Sequence, residues 1–234
     1  MRLGIEDRLK LLVPSGLYYA HKIRSEILTE PELGLLAQFV RAGSTAIDVG
    51  ANRGIYSHAL AKVVANVEAF EPNPALAHFA RTKLSRRVRV HECALSNRDG
   101  AATLHIPVGR RSRPDHLVGS LRGRADDGIS IEVPLRTLDS FDFENVSFIK
   151  IDVEGSELDV LKGARCTISR DRPNLLVELL AGTHDDPFAA IAWIGSTFGY
   201  HPRIVIGSEC CAVSRALDER RNEVKTRNIL FTPE

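Results

Sequence analysis

The sequence has no excess of charge of either sign: 31 Lys and Arg stand against 30 Asp and Glu, a formal net charge of +1 over 234 residues. A dedicated nucleic-acid binder usually carries a basic surplus, so that class is disfavoured, although an even total can conceal a local patch. Long apolar runs are also missing. Stretches such as Ala189–Ile194 fall far short of the roughly 20 residues that a membrane-spanning helix needs. Met1–Lys10 mixes charges and has no apolar stretch of the signal-peptide kind, so a cytoplasmic chain is expected. Cysteine is sparse: Cys93, Cys166, Cys210 and Cys211 form no C-x-x-C pair, and adjacent cysteines cannot easily bridge each other. Four reduced thiols are the expectation. There is no internal repeat or low-complexity tract. The chain does have a 44% share of hydrophobic residues, too apolar and too balanced for disorder. Its length suits one domain of roughly 200 residues with small additions.

Apolar residues at helical spacing predict helices over Arg2–Val13 and Glu32–Arg41, with Pro31 suited to a first helical position. After residue 43 the pattern becomes an alternation. Ser44–Val49, Asn66–Phe70, Arg87–Ala94, Ser147–Val153 and Asn174–Leu180 read as strands. Tyr56–Val64, Pro74–Leu84, Ser156–Ser169 and Asp186–Phe198 read as helices, the last with Asp186 as N-cap and Pro187 at N1. Two further short strands are expected near Arg203–Ile206 and Asn228–Phe231. The division is an N-terminal helical segment, 1–43, and an α/β domain, 44–234. Within the domain, Ala101–Pro107 and Ile129–Leu135 flank a long Gly- and Arg-rich loop, an inserted hairpin over about 101–135. Alternating strands and helices imply a mostly parallel sheet covered on both faces. Ligands of such sheets bind at the carboxyl ends of the strands, here after Val49, Phe70, Ala94, Val153 and Leu180.

The first of these ends reads Asp48-Val49-Gly50-Ala51-Asn52-Arg53-Gly54. Gly50 and Gly54 permit a tight turn and a close ligand approach to bare backbone. The second ends at Glu71-Pro72, where a carboxylate can accept both hydrogens of a ribose diol. A dinucleotide fold would need G-x-G-x-x-G, whereas only Gly50-x-x-x-Gly54 is present. Asp48 would repel a pyrophosphate but suits the ammonium and sulfonium of S-adenosyl-L-methionine (SAM). Asn52 offers donors and acceptors to the methionine moiety. A nicotinamide cofactor and an ordinary βα turn remain the alternatives.

Lys150-Ile151-Asp152-Val153-Glu154-Gly155-Ser156-Glu157 is the most unusual run. Phe148, Lys150 and Asp152 share one strand face. A central parallel strand should be almost wholly apolar, and an unpaired buried charge costs several kcal/mol. Lys150 and Asp152 therefore pair or face the cleft. Asp152 and Glu154 lie where acceptor would meet cofactor, while Glu157 suits a helix N-terminus. Glu178, at the end of the fifth strand, and His184, in the loop beyond, are second candidates for the chemistry. His58 falls within a helix and reads as structural.

Four segments, AIDVGANRGIYS (46–57), AFEPNP (69–74), CALSNRDG (93–100) and FIKIDVEGSELDVLKG (148–163), resemble the FkbM-type SAM-dependent methyltransferases, as does RPNLLVEL (172–179). The resemblance implies a Rossmann-like class I methyltransferase fold: a seven-stranded, mostly parallel sheet, one strand antiparallel, with helices on both faces. It implies SAM as cofactor and methyl transfer, commonly to a hydroxyl of a sugar or natural product. By position it places Asp48, Gly50, Ala51, Asn52 and Gly54 in the methionine-side loop. It puts Glu71 and Pro72 at the ribose, Ala94 and Ser96 at the adenine edge, and Lys150, Asp152 and Glu154 at the signature strand end, with Asp152 also in reach of the cofactor. No metal-ligand set is assigned. A hydroxyl acceptor needs a base within hydrogen-bond reach, and Asp152 or Glu154 is expected to serve. An N-methylating nucleic-acid enzyme would carry Asn/Asp-Pro-Pro-aromatic at this end, and a SAM-binding scaffold without activity is the non-enzyme alternative. Arg110, Arg111, Arg113, Arg122 and Arg124 in the inserted loop suggest a lid that touches an anionic acceptor. The expected partner is a small molecule, a saccharide among the candidates. Neither nucleic acid nor membrane is expected, and a homo-oligomer stays open.

Overall fold

The computed structural model describes residues 5–109, 113–114, 119–121, 128–179, 186–213 and 228–233. An N-terminal segment comprises α1 (Ile5–Leu12), α2 (Ser15–Glu26), a 3-10 turn (Pro31–Gly34) and α3 (Leu36–Phe39). The alternating half follows with β1 (Thr45–Val49), α4 (Ile55–Leu60), β2 (Asn66–Phe70), α5 (Pro74–Lys83), β3 (Val88–His91) and β4 (Ala94–Leu95). The inserted hairpin is β5 (Gly100–Gly109), β6 (Arg113–Pro114) and β7 (Gly128–Arg136). Then come β8 (Val146–Ile151), α6 (Glu157–Lys162), α7 (Arg165–Asp171), β9 (Asn174–Glu178), α8 (Pro187–Phe198), β10 (Tyr200–Ile206), β11 (Glu209–Ala212) and β12 (Asn228–Pro233).

The main sheet runs β11-β10-β12-β9-β8-β1-β2-β3, and a second sheet runs β4-β7-β5-β6. The five strands from β3 to β9 are mutually parallel, and β12 enters antiparallel to both β9 and β10. This is the expected class I arrangement with an eighth strand, β11, added in a hairpin to the edge strand β10. Period-2 alternation builds both cores. Ile47, Val49, Ile149, Ile151, Leu175 and Val177 pack under α6 to α8. Ala46, Phe148, Leu176 and Leu230 pack on the opposite face against α4 and the N-terminal segment. Each fully buried Val, Leu, Ile or Phe side chain among them contributes about 1.5–3 kcal/mol.

Several expectations need correction. The strand expected over Arg87–Ala94 is two: β3 ends at the sheet edge, and β4 leaves to pair with β7. The helix expected over Ser156–Ser169 breaks between Lys162 and Arg165. A Cβ on Gly163 would stand 2.0 Å from the carbonyl oxygen of Ser96, so the chain turns there against the β4 end. The restarted helix α7 is capped from a distance. The Asp139 carboxylate accepts hydrogen bonds from the backbone N–H groups of Cys166 and Thr167, both at 2.9 Å. Helix α2 was not anticipated, and Pro31 opens a 3-10 turn rather than an α-helix. Asp186 does cap α8, accepting from Phe188 and Ala189. His58 stacks on Tyr19 with ring centroids 4.2 Å apart, a structural role. The four cysteines form no disulfide. Among the described residues no helix is long and apolar enough to cross a membrane.

Candidate active site

At the carboxyl ends of β1, β2 and β8 lies an open cleft, where ligands of such sheets bind. Gly50, Asn52, Phe70, Glu71 and Pro72 form one side, Cys93, Ala94 and Leu95 another, and Asp152, Val153 and Glu154 a third. Leu104, Gly119 and Leu121 of the inserted hairpin roof it. The Ser120 hydroxyl also donates to the Glu154 carbonyl at 2.9 Å. The hairpin thus does reach the cleft. Of its arginines, Arg110, Arg111, Arg122 and Arg124 lie outside the described residues, and the same loop carries Asp115, Asp126 and Asp127.

The turn after β1 is pinned from several sides. Gly50 and Ala51 both donate to the Phe70 carbonyl at 3.0 Å. Gly50 adopts φ 81°, and a Cβ there would stand 1.7 Å from the carbonyl oxygen of Asp152. Gly54 adopts φ 80°, with Leu84 2.7 Å from where its Cβ would be. Gly50 is thus required both by its φ and by the Asp152 carbonyl, and Gly54 chiefly by its φ, since the Leu84 tip can move. From the N-terminal segment, the Tyr19 hydroxyl donates to the Arg53 carbonyl and the Arg53 guanidinium pairs with Asp7, each at 2.8 Å.

Glu71 is buried, yet both oxygens are engaged: Oε2 accepts from the Asn52 N–H and Oε1 from the Asn73 N–H, each at 2.8 Å. Burial pushes its carboxyl up to about 7, against the pull of those two amides. Glu71 nonetheless lines the cleft, and a carboxylate that accepts two amides has further acceptor capacity. Cys93, beside it, is buried, and its thiol is pushed up to about 11 by that burial.

The period-2 rule sets a polar row across the sheet. Asp48 is in register with Lys150, Asp152 follows Lys150 two residues on, and Glu178 is in register with Asn228. All five sit on the α4 face, at strand ends. The Lys150 ammonium donates to Asp152 Oδ2 at 2.8 Å and lies 4.6 Å from the centre of the Tyr56 ring. Burial opposes its charge, but Asp152, Asp48 and Glu30 outweigh that and raise its pKa. Asp48 takes the Ser57 hydroxyl at 2.6 Å, and burial raises its carboxyl. Its second oxygen, also buried, has no hydrogen-bond partner among the described residues.

Glu178 and Asp152 form a pair that titrates together. Burial, then a hydrogen bond and the charge of Asp152, raise Glu178, while Lys150 overcomes burial to keep Asp152 low. One proton shared between them satisfies both, with Asp152 the anion. Glu154 stands at the cleft mouth with φ 55°, its carboxyl raised by burial and by the charges of Asp152 and Glu157. Glu157 fixes this corner: Oε1 accepts from Val153 at 3.0 Å and from Gly155 at 3.1 Å. Expected as a stabiliser of the helix terminus, it instead ties the β8–α6 loop to the start of α6. One carboxylate oxygen each from Asp152, Glu154 and Glu178 can lie within 4.8 Å of the others. Within this trio Lys150 already pairs with Asp152.

The structure therefore brings Gly50, Asn52, Glu71, Pro72, Ala94, Asp152 and Glu154 to the cleft surface. Asp48, Ala51, Gly54, Lys150 and Glu178 stand behind it. Ser96 does not reach it either: its carbonyl is packed on Gly163. His184 lies outside the described residues. Sequence reasoning missed Tyr56, Ser57 and Asn73; it expected the inserted loop at the cleft, but not the apolar residues Leu104 and Leu121 by which the hairpin meets it. For Tyr56 and Ser57 a signal existed, since they lie in the first turn of the helix that follows the glycine turn.

The Methyltransferase FkbM domain family matches residues 48–201. The 2-O-methyltransferase NoeI of Sinorhizobium fredii is 30% identical over 146 residues, 54% of this chain and 59% of NoeI, so the match spans well under two thirds of that relative. The crystal structure of methyltransferase FkbM from Methylobacillus flagellatus superposes with a TM-score of 0.53 at 18% identity, over 96% of this chain and 57% of the other. SMU.1697c of Streptococcus mutans, a methyltransferase-like protein crystallised with SAH, gives 0.50 at 13% identity, over 87% and 94%. These structures share the class I methyltransferase fold. With two thirds of its length matched, the chain belongs to the FkbM methyltransferase domain family.

Proposed function

We propose that this chain is a SAM-dependent methyltransferase acting on a hydroxyl oxygen of a saccharide-like small molecule. The observation that carries the reading is one cleft that holds Glu71 at its β2 end and a carboxylate edge, Asp152 and Glu154, at its β8 end. The apolar walls Phe70, Leu76 and Leu95 beside Glu71 and Asn73 fit a nucleoside that is flat and apolar at the base and hydroxylated at the ribose. When bound, SAM supplies an activated methyl group on a sulfonium. The chain's own residues then position and desolvate. Asp152, held anionic by Lys150, offers a fixed negative charge to a cationic cofactor and an acceptor to the incoming hydroxyl. Glu154, at the mouth and with a raised carboxyl, is the better base, because a base is most effective when its pKa approaches the working pH. Glu178 holds a proton and cannot take another. Carboxylates at this edge favour an uncharged hydroxyl over an anionic acceptor. The name of the Sinorhizobium relative, a 2-O-methyltransferase, supports oxygen as the target.

The test is in two steps. SAM and SAH should raise the melting temperature by mass action while NAD and NADP do not. Labelled SAM offered with a saccharide panel should place label on a hydroxyl oxygen. Glu154→Gln should then keep SAH affinity and lose roughly 10²–10⁴-fold in turnover. A shift with NAD alone, or full turnover in the variant, would sink the respective step.

A further inference from the structure

Lys150 is 2% exposed, and what surrounds it comes from far apart in the chain. Beyond Asp152 and Asp48, its ammonium faces the Tyr56 ring. The Tyr56 hydroxyl donates to Glu30 Oε2 at 2.7 Å and lies 3.5 Å from Glu32 Oε1. The Asn228 amide, opposite Glu178 in the sheet, donates to Glu32 and reaches Glu30 Oε2 at 3.4 Å. Glu30, Glu32 and Asn228 all fall outside the family-matched span 48–201. Two flanking segments thus converge on the tyrosine beneath the Lys150–Asp152 pair.

We infer that Glu30 is a positioning residue for the Asp152–Glu178 pair: it orients Tyr56 through the hydroxyl bond and so fixes the Lys150 ammonium against Asp152. The inference rests on the proposed function, which puts Asp152 at the reacting edge. Hydrogen-bond geometry carries it. A hydrogen bond at the oxygen holds the far end of the ring in place, and because a phenol O–H prefers to lie in the ring plane, the acceptor also sets that plane; a cation over the face is favoured while the ring stays under it. Electrostatics agree, since Glu30 is among the charges that favour the Lys150 ammonium. Other groups facing the pair are Asp48 from β1, Glu71 from β2, Glu154 from the loop after β8 and Glu32 from the 3-10 turn. None of these bonds Tyr56 as closely as Glu30 does.

The experiment measures SAH affinity by calorimetry across neutral to alkaline pH, on the full chain. The wild type should show a pH-dependent limb from the Asp152–Glu178 pair, which Glu178→Gln removes. Glu30→Gln and Tyr56→Phe should each move that limb by roughly half a pH unit or more, about threefold in affinity on its steep part. Glu26→Gln, a control on the last turn of α2, should leave it in place. Should Glu30→Gln fail to fold, Tyr56→Phe carries the same reading, because it keeps the ring and loses only the anchor. An unmoved limb in a folded variant that still binds SAH overturns this inference alone. A wild type that binds no SAH overturns the proposed function and this inference with it.

Discussion

A methyl group on Gly50 would stand 1.7 Å from the Asp152 carbonyl, at a backbone φ of 81° that L side chains rarely adopt. Gly50→Ala must therefore either push the β8 end away or distort the turn. A loss of roughly 2–4 kcal/mol follows from strain and displaced packing together. Urea unfolding measures it, and a variant within error of wild type would show that the β8 end yields freely. The glycine was legible in the sequence as a turn. Its partner was not, because contact between residues 50 and 152 is a property of strand adjacency. The same holds for Glu71, whose two backbone amide bonds depend on the path of the β1 turn across the β2 end. Lys150 and Asp152 were legible as a pair for a local reason: residues two apart on a strand share a face.

At the scale of elements, alternation of short apolar strands with helices was enough to place the parallel half of the sheet. What it could not place were breaks enforced from outside the segment. Helix α7 illustrates the point: it restarts because Gly163 meets Ser96 and because Asp139, some 27 residues upstream, caps it. Nothing in residues 163–171 announces either contact. Asp139→Ala removes the bonds to Cys166 and Thr167, so it should cost about 1–2 kcal/mol in unfolding free energy. Asp139→Asn, which keeps an acceptor, should recover at least half of that. Equal losses in the two variants would mean that charge, not hydrogen bonding, holds the helix. Strand β11 and helix α2 escaped notice for a simpler reason. The first is four residues long, and the second buries adjacent tyrosines instead of a helical stripe.

The whole molecule carries its carboxyl burial as a dependence on pH. Burial raises Glu71 to about 7 and Glu178 above the ordinary range. A carboxyl raised by folding binds its proton more tightly in the native state. Its contribution is therefore full below the ordinary value of 4.5 and is lost as pH rises through the folded value. For Glu71 that window runs from 4.5 to about 7, and for Glu178 it extends higher. The ligand-free protein should lose thermal stability steadily from mildly acidic to alkaline pH. Glu178→Gln should flatten the alkaline part of that slope and exceed wild type there. An unchanged slope would mean that the proton is not shared with Asp152. The near-equal totals of acid and base in the sequence hid this asymmetry, since the acids are gathered at strand ends.

The anchors of Tyr56 arrive from both ends of the sequence. Residues 48–201 hold the turn, Glu71 and the β8 edge, whereas Glu30 and Glu32 bond the Tyr56 hydroxyl from one side of that span and Asn228 bonds Glu32 from the other. The matched span is therefore buttressed from outside itself, and a fragment trimmed to residues 48–201 would leave the Tyr56 hydroxyl without these anchors.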